Sequence, residues 1–389
     1  MHLTREEERV YDGEEGWARS AAMRILVKLG DLYGAERLIP IEWAHISGVS
    51  YKTGGDALIE FLEELVEAGG RVSTHTTLNP SSFDPAMPWC VNIPDRALQR
   101  QMHIIQLYQA LGVEATLTCT PYYVEAPTPN SHLAWAESSA VVYANSIIGA
   151  WTNREGGPSA LASAIIGKTP DHGMHRPENR EPGVLVEVQT ALMSEVEYGA
   201  LGSYVGRLVG DKIPLFMNLG SPTEVQLRQL GAALASTGMV SMFRWGEEPK
   251  RGCMERIQVD GEAIKDAVEN LSTTMEEPDL IYIGCPHCSP EEIREISELL
   301  RGRRVNPNRR LWICTSQYVK DEMRGCVAEI ERAGGRVIAG TCAVVSWLRE
   351  TGVDVVLTNS AKAMHYLPTL GGVEVTAGSL RECIEAACS

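Results

Sequence analysis

The chain has 389 residues, 44% of them hydrophobic, and a formal net charge of −16 at pH 7. That length exceeds one compact core and predicts roughly two or three domains, while the acidic balance argues against a nucleic-acid backbone as partner, because phosphate binding needs a basic face. No stretch of about 18 apolar residues is present to span a membrane, and Met1–Gly16, dense in Glu and Arg, lacks the apolar core and cleavage site of an export signal, so a cytoplasmic protein is expected.

The first 70 residues read as helices: Glu6–Tyr11, Trp17–Leu29 and Gly55–Ala68 carry apolar residues three to four apart among Glu and Arg. From Arg71 to Trp89, Ser, Thr, Asn and Pro predominate, which is loop chemistry after a short strand. A helix is predicted over Asp95–Leu111 and a strand-like segment over Ala115–Pro127. Small residues over 137–164 predict a buried helix, a Gly-rich loop at Arg154–Pro158 and a second helix opening at Ser159. Strand and helix patterns alternate over Ile213–Trp245 and again further on. There the apolar runs Leu280–Gly284, Leu311–Cys314, Gly335–Ala339, Val353–Leu357 and Gly372–Val375 are separated by helical patterns at Pro290–Leu300, Gln317–Ala333 and around Val344–Arg349. A final helix is predicted over Ser379–Ala387. This alternation predicts parallel sheets in a doubly wound α/β arrangement. The expected division is residues 1–205, 206–275 and 276–389.

The chemistry collects where the last strands end. Cys285-Pro-His-Cys288 follows the first of them, Thr315-Ser316 the second, Thr341-Cys342 the third and Asn359-Ser360-Ala-Lys362 the fourth. Open α/β sheets bind ligands outside the carboxyl ends of their strands, so thiol, hydroxyl, amide and ammonium groups are delivered to one edge. The chain has ten cysteines, which in this context read as reduced thiols and not a disulfide framework. Cys383 and Cys388 on the last helix, Cys326 within a helix, Cys314 at a strand end, and Cys90 and Cys253 in loops read as small packing residues. Cys285, Cys342 and Cys119, the last within Thr118-Cys-Thr-Pro121, differ. Three dispersed thiolates can hold three irons of a cubane cluster and leave the fourth open as a Lewis acid. Half of a zinc site at Cys285-x-x-Cys288 stays open as an alternative.

Thr152-Asn-Arg-Glu-Gly-Gly-Pro-Ser159 has the makings of an anion site. Its glycines free backbone N–H groups, Pro and Ser suit a helix start, and Arg154 can grip a carboxylate or phosphate through two parallel bonds. A tight turn carrying a surface Arg is the alternative. His45 and His75 are isolated histidines, more often structural than catalytic. Glu137, among small apolar residues, must be paired or hydrogen-bonded. Lys362 is a candidate for charge recognition, with a surface lysine at a helix start as the alternative.

Nine blocks occur in order along nearly the whole chain: Ala22–Val27, Ala44–Gly48, Thr76–Asn79, Thr118–Tyr122, Ala134–Ala140, Thr152–Ser159, Gly284–His287, Thr341-Cys342 and Thr358–Lys362. Together they resemble the aconitase X family. The resemblance implies an aconitase-like multi-domain α/β fold lacking the swivelling small domain. It implies an iron–sulfur hydro-lyase whose large, catalytic subunit is this chain, with a separate small subunit completing a heterodimer. The implied cofactor is a [4Fe-4S] cluster with one iron not held by cysteine, and the implied ligands are Cys119, Cys285 and Cys342. Cys288 departs from the family pattern, which carries a non-thiol residue there. The expected reaction is dehydration of (R)-5-phosphomevalonate to trans-anhydromevalonate 5-phosphate. The alternatives are a hydroxyproline-type dehydratase of the same family and a non-catalytic metal-binding protein. Asn79, Arg154, Glu155, Ser159, Ser316, Asn359, Ser360 and Lys362 are expected to hold substrate oxygens, and His45 and Glu137 to handle the proton.

Overall fold

The computed structural model of the chain describes residues 1–86, 94–248 and 254–389, so Cys90 and Cys253 lie outside the described residues. The chain divides into two compact units: Met1–Ser82 with Pro94–Glu181, and Pro182–Ser389 with the segment that begins at Phe83. No described helix is long and apolar enough to cross a membrane.

In the first unit, helices Arg5–Asp12, Trp17–Leu32, Tyr51–Glu67 and Asp95–Ala110 match the predicted periodicities. The first is closed by a capping box: Glu7 N–H donates to Thr4 Oγ1 at 3.3 Å and Thr4 N–H to the Glu7 carboxylate at 2.8 Å. Met23, Leu26, Ile59, Leu62, Ile104 and Tyr108 pack their apolar stripes into one core. The opening region also holds strands that helical periodicity does not reveal. Strand β1 (Leu38–Pro40) and strand β2 (Trp43–Ile46) are too short for an alternating pattern to register. β2 lies between two parallel neighbours, β3 (His75–Leu78) and β4 (Leu133–Trp135). β1 pairs antiparallel with β5 (Lys168–Pro170).

The strand expected over Ala115–Pro127 does not form. Leu117 takes φ 46°, outside the extended region, and Pro121–Tyr123 is a single 3₁₀ turn. The helix expected from Ser159 opens at Gly157 instead, where Pro158 fits the first turn. Gly157 has a second reason to be glycine: an added Cβ would stand 2.5 Å from the Ser47 carbonyl oxygen.

The second unit holds two parallel sheets. One contains β6 (Val184–Val188), β7 (Pro214–Met217), β8 (Arg244–Trp245) and β9 (Glu255–Val259), in the order β8-β7-β6-β9. The other contains β10 (Leu280–Cys288), β11 (Arg310–Thr315), β12 (Arg336–Ala339), β13 (Val355–Thr358) and β14 (Glu374–Ala377), in the order β12-β11-β10-β13-β14. In both, the earliest strand is interior and the order reverses beside it, as in doubly wound folds. The expected α/β architecture is the observed one. Two local expectations are corrected. Gln317–Ala333 is broken at Met323 into helices Gln317–Glu322 and Arg324–Ala333. The stretch around Val344–Arg349 forms two 3₁₀ turns, Ala343–Val345 and Arg349–Thr351, too short for a helix of its own.

Candidate functional site

The strand order of the β10 sheet creates a switch point between β10 and β13. Cys285 sits near the end of β10, and Asn359-Ser360-Ala-Lys362 follows β13. Cys342 follows β12 on the other side of β10. All three segments are buried, with Cys285 3%, Cys342 9% and Lys362 8% exposed. The thiols of Cys285 and Cys342 hydrogen-bond one another, and this contact lowers the Cys342 pKa to about 7. Burial opposes that shift, while the Tyr282 hydroxyl, the Val344 backbone and the Lys362 charge assist it. Lys362 is therefore no surface lysine.

Tyr282 was not legible as a site residue in the sequence. It is fully buried in β10, donates from its hydroxyl to the Gly284 carbonyl at 3.0 Å, and places that oxygen 3.4 Å from Cys342 Sγ. Burial and then the nearby sulfurs of Cys342, Cys314 and Cys285 push the phenol well above its ordinary pKa, so it keeps its proton. The available signal was a phenol inside an otherwise apolar strand, where a buried hydroxyl needs a partner.

The Cys285–Cys288 turn is held by polar groups from elsewhere in this unit. Arg228 donates to the His287 carbonyl at 2.8 Å and pairs with Glu292, whose carboxylate also accepts from Ser289 N–H at 2.8 Å. His287 donates through Nε2 to the Thr341 carbonyl at 2.8 Å, which ties this turn to the residue before Cys342. Gly284 takes φ 117°, and a Cβ there would stand 2.3 Å from the Cys314 carbonyl oxygen, so no other residue fits between the strands. Ser316 and Ser360 cap helices: their hydroxyls accept from Val319 and Ala363 N–H, each at 3.1 Å. Asn359 donates to Glu195 at 3.3 Å, and its buried Oδ1 has no hydrogen-bond partner among the described residues.

The first unit collects a second group. His45 on β2 is fully buried, with Nδ1 2.7 Å from Thr77 Oγ1 and its ring edge-on to Trp135. Burial lowers its pKa to about 4, against the charge of Glu137 and the neighbouring Asn79 side chain and Thr118 backbone. The imidazole is neutral at pH 7. Glu137, at the end of β4, caps the helix Ser138–Tyr143 by accepting from Ser139 N–H at 3.1 Å and Ser139 Oγ at 3.0 Å. His45, Asn79, Glu137 and the backbone beside Cys119 thus share one neighbourhood at the ends of three parallel strands. His75 is exposed, its ring tilted against that of Trp43.

The Arg154 loop follows from this sheet. Thr152 Oγ1 accepts from Trp135 N–H at 3.0 Å, and Asn145 holds the Thr152 backbone through two bonds at 2.8 and 3.0 Å. Buried Arg180 in turn donates to Asn145 Oδ1, the Asn145 carbonyl and the Ala150 carbonyl, and stacks over Trp151. Arg154 and Glu155 are half-buried. Ser159 donates to Glu155 at 2.5 Å and accepts from Gly156 N–H at 3.0 Å. Burial raises the Glu155 pKa against the Ser159 and Thr169 hydrogen bonds.

Among the described residues, no three His, Cys, Asp or Glu side chains are arranged to hold a metal ion. Of the expected ligands, the second unit supplies the Cys285–Cys342 pair and the first supplies Cys119, buried beside Thr118 and Thr120. The paired thiols, one of them with a pKa near 7 and within reach of the Lys362 charge, suit a thiophilic metal group. A cavity of about 430 Å³ lies beside the ends of β6, β9 and β14, and none of the residues singled out from the sequence lines it. The helix starts around it are already capped by the side chains of Ser194, Asp260 and Ser379.

Comparison with known proteins accounts for the full length. Residues 1–178 match the aconitase X first domain, 182–275 the second domain and 278–389 the third. The chain is 44% identical to the phosphomevalonate dehydratase large subunit of Methanocaldococcus jannaschii, over 99% of this chain and 100% of that one. It is 32% identical to the cis-3-hydroxy-L-proline dehydratase of Hypocrea jecorina, over 100% of this chain but 69% of that one. A crystal structure of Thermococcus kodakaraensis aconitase X in its holo-form superposes with a TM-score of 0.93 at 42% identity, covering both chains completely.

Proposed function

The chain belongs to the aconitase X family, and from that premise we propose that it is the large, catalytic subunit of a cytoplasmic phosphomevalonate dehydratase. The carrying observation is 44% identity to an archaeal large subunit over 99% of this chain and 100% of that one. The hydroxyproline dehydratase reading is weaker, because identity to that relative is 32%, against 44% to the phosphomevalonate dehydratase large subunit. A separate small subunit completes the enzyme, as the name of the relative indicates.

Dehydration of (R)-5-phosphomevalonate removes a proton from C2 and the hydroxyl from C3. Cys119, Cys285 and Cys342 would hold the iron–sulfur cluster, which when bound supplies an iron not held by cysteine as a Lewis acid toward hydroxyl and carboxylate. The chain's other groups bind and orient. Lys362 offsets the negative charge of the thiolates. Arg154, on a loop fixed through Thr152, Asn145 and Arg180, grips carboxylate or phosphate oxygens. Asn79 in the first unit and Asn359 in the second each offer a hydrogen bond to substrate oxygens, while Ser159, whose one proton goes to Glu155, orients that carboxylate. Ser316 and Ser360 serve by fixing the helices that present their neighbours. His45 and Glu137 would handle the proton, the Glu137 charge favouring the protonated imidazole against the burial that disfavours it.

The test is anaerobic co-purification with the small subunit, iron and sulfide analysis, and assay with both candidate substrates. Iron, sulfide and dehydration of phosphomevalonate are expected. Turnover of cis-3-hydroxy-L-proline alone would transfer the chain to the other branch, and zinc in place of iron would overturn the cluster.

A further inference from the structure

The Tyr282 hydroxyl has one proton and stands between two groups that can use it. The Gly284 carbonyl is 3.0 Å away and Cys342 Sγ is 3.4 Å away. With Cys342 as a thiol, the chain of donors runs from S–H to the phenol oxygen and from the phenol O–H to the Gly284 carbonyl, and every group is satisfied. A metal-bound Cys342 is a thiolate and has no proton to give. Its sulfur can then only accept, and the phenol is a buried donor beside it.

Resting on the cluster reading above, we propose that Tyr282 is a positioning residue for a metal-bound Cys342, turning its O–H from the Gly284 carbonyl to the sulfur when the thiolate binds iron. Gly284 is bonded to Cys285, so the same rotation releases the carbonyl next to the other thiol of the pair. The residue is built for this role and not for surface packing. It is fully buried, its hydroxyl meets these two partners, and the glycine it bonds to cannot be replaced without collision with Cys314. The aromatic body packs with Leu280, Ile338 and Cys314 in the core of this sheet, so removing only the hydroxyl leaves the packing in place.

A donor to a cluster sulfur stabilises the reduced, more negative state and raises the reduction potential. It also drains charge from the sulfur and keeps it oriented toward iron. The experiment compares wild-type, Tyr282→Phe and a chain carrying 3,5-difluorotyrosine at position 282, each as the anaerobically reconstituted complex with the small subunit. Iron and sulfide content, cluster reduction potential, iron release to a chelator and thermal melting are measured. Tyr282→Phe is expected to melt like wild-type, to lower the potential and to release iron several-fold faster. The fluorinated chain keeps the hydroxyl as a stronger donor and is expected to shift the potential upward; if Tyr282→Phe does not fold, this variant decides alone. A wild-type cluster whose potential and iron release are unchanged in the variants overturns the role of Tyr282 and leaves the cluster reading standing. A wild-type complex without iron and sulfide overturns both.

Discussion

Arg228 and Glu292, 2% and 3% exposed, form an ion pair inside the second unit, and the Arg228 guanidinium also donates to the His287 carbonyl at 2.8 Å. One buried charge pair therefore fixes both the start of helix Pro290–Leu300 and the turn that carries Cys285. A buried pair contributes little net stability over an apolar substitute, but removing one partner strands the other.

Replacing Arg228 by Met is expected to cost about 3–5 kcal/mol, because Glu292 then stays buried without its countercharge. The double variant Arg228→Met/Glu292→Leu should recover part of that loss. Urea unfolding of the wild-type, single and double variants checks both statements. An additive double variant would show that the two residues are not coupled.

Cysteine replacements should separate the ten thiols. Cys119→Ser, Cys285→Ser and Cys342→Ser are each expected to abolish stable iron binding in the reconstituted complex. Cys383→Ser should leave iron content intact, since Cys383 is buried on the last helix and burial holds its pKa far above the ordinary thiol range. Cys288→Ser should behave likewise, since Cys288 serves the β10–β11 pairing, where its carbonyl accepts from Thr315 Oγ1 at 2.7 Å. Iron and sulfide analysis of each purified complex reads this directly.

Acid should weaken the first unit through its histidines. Burial lowers the pKa of His45 to about 4 and that of His175 to about 3, against an ordinary value of 6.5. Between those limits the unfolded chain binds protons that the folded one refuses, so stability is full above about pH 6.5 and falls as the pH drops toward 4. Denaturant midpoints between pH 7.5 and 4.5 should follow this slope. A His175→Phe variant, which has one such group fewer, should show a shallower one.

Arg180→Lys is expected to destabilise the first unit by about 1.5–3 kcal/mol, the scale of hydrogen bonds to a charged group, since lysine cannot reproduce the planar fork that reaches Asn145 and Ala150. Because Asn145 holds Thr152, the variant should also loosen the Arg154 loop. Steady-state kinetics should show KM for the phosphorylated substrate rising more than kcat falls. An unchanged KM would detach Arg180 from the substrate loop.

Much of the site is readable along the chain because of one geometric regularity. In a parallel sheet every strand ends on the same edge, so Cys285, Cys342 and Lys362 can be placed together from their positions after apolar runs. Ser316 and Ser360 occupy equivalent positions, and there the sequence is ambiguous. A serine between a strand and a helix is a cap or a ligand with equal ease, and the hydrogen bonds to Val319 and Ala363 assign both as caps. The strand expected over Ala115–Pro127 failed for a related reason: β-rich composition does not register the positive φ at Leu117 that turns the chain before Cys119.

The sequence by itself determined the doubly wound α/β class, the helices of the opening region, the edge on which the last strands deliver their chemistry, and the family. The tertiary structure decided which groups act on one another. Tyr282 and Cys342 are separated by 60 residues, Arg228 and His287 by 59, and His45 and Thr77 by 32. No local pattern links such pairs, because periodicity reports which face of an element is buried and not which atom waits on the facing one. The low pKa of Cys342, the neutrality of His45 and the burial of Lys362 arise from those distant neighbours and from exclusion of water, and only the folded chain brings them together.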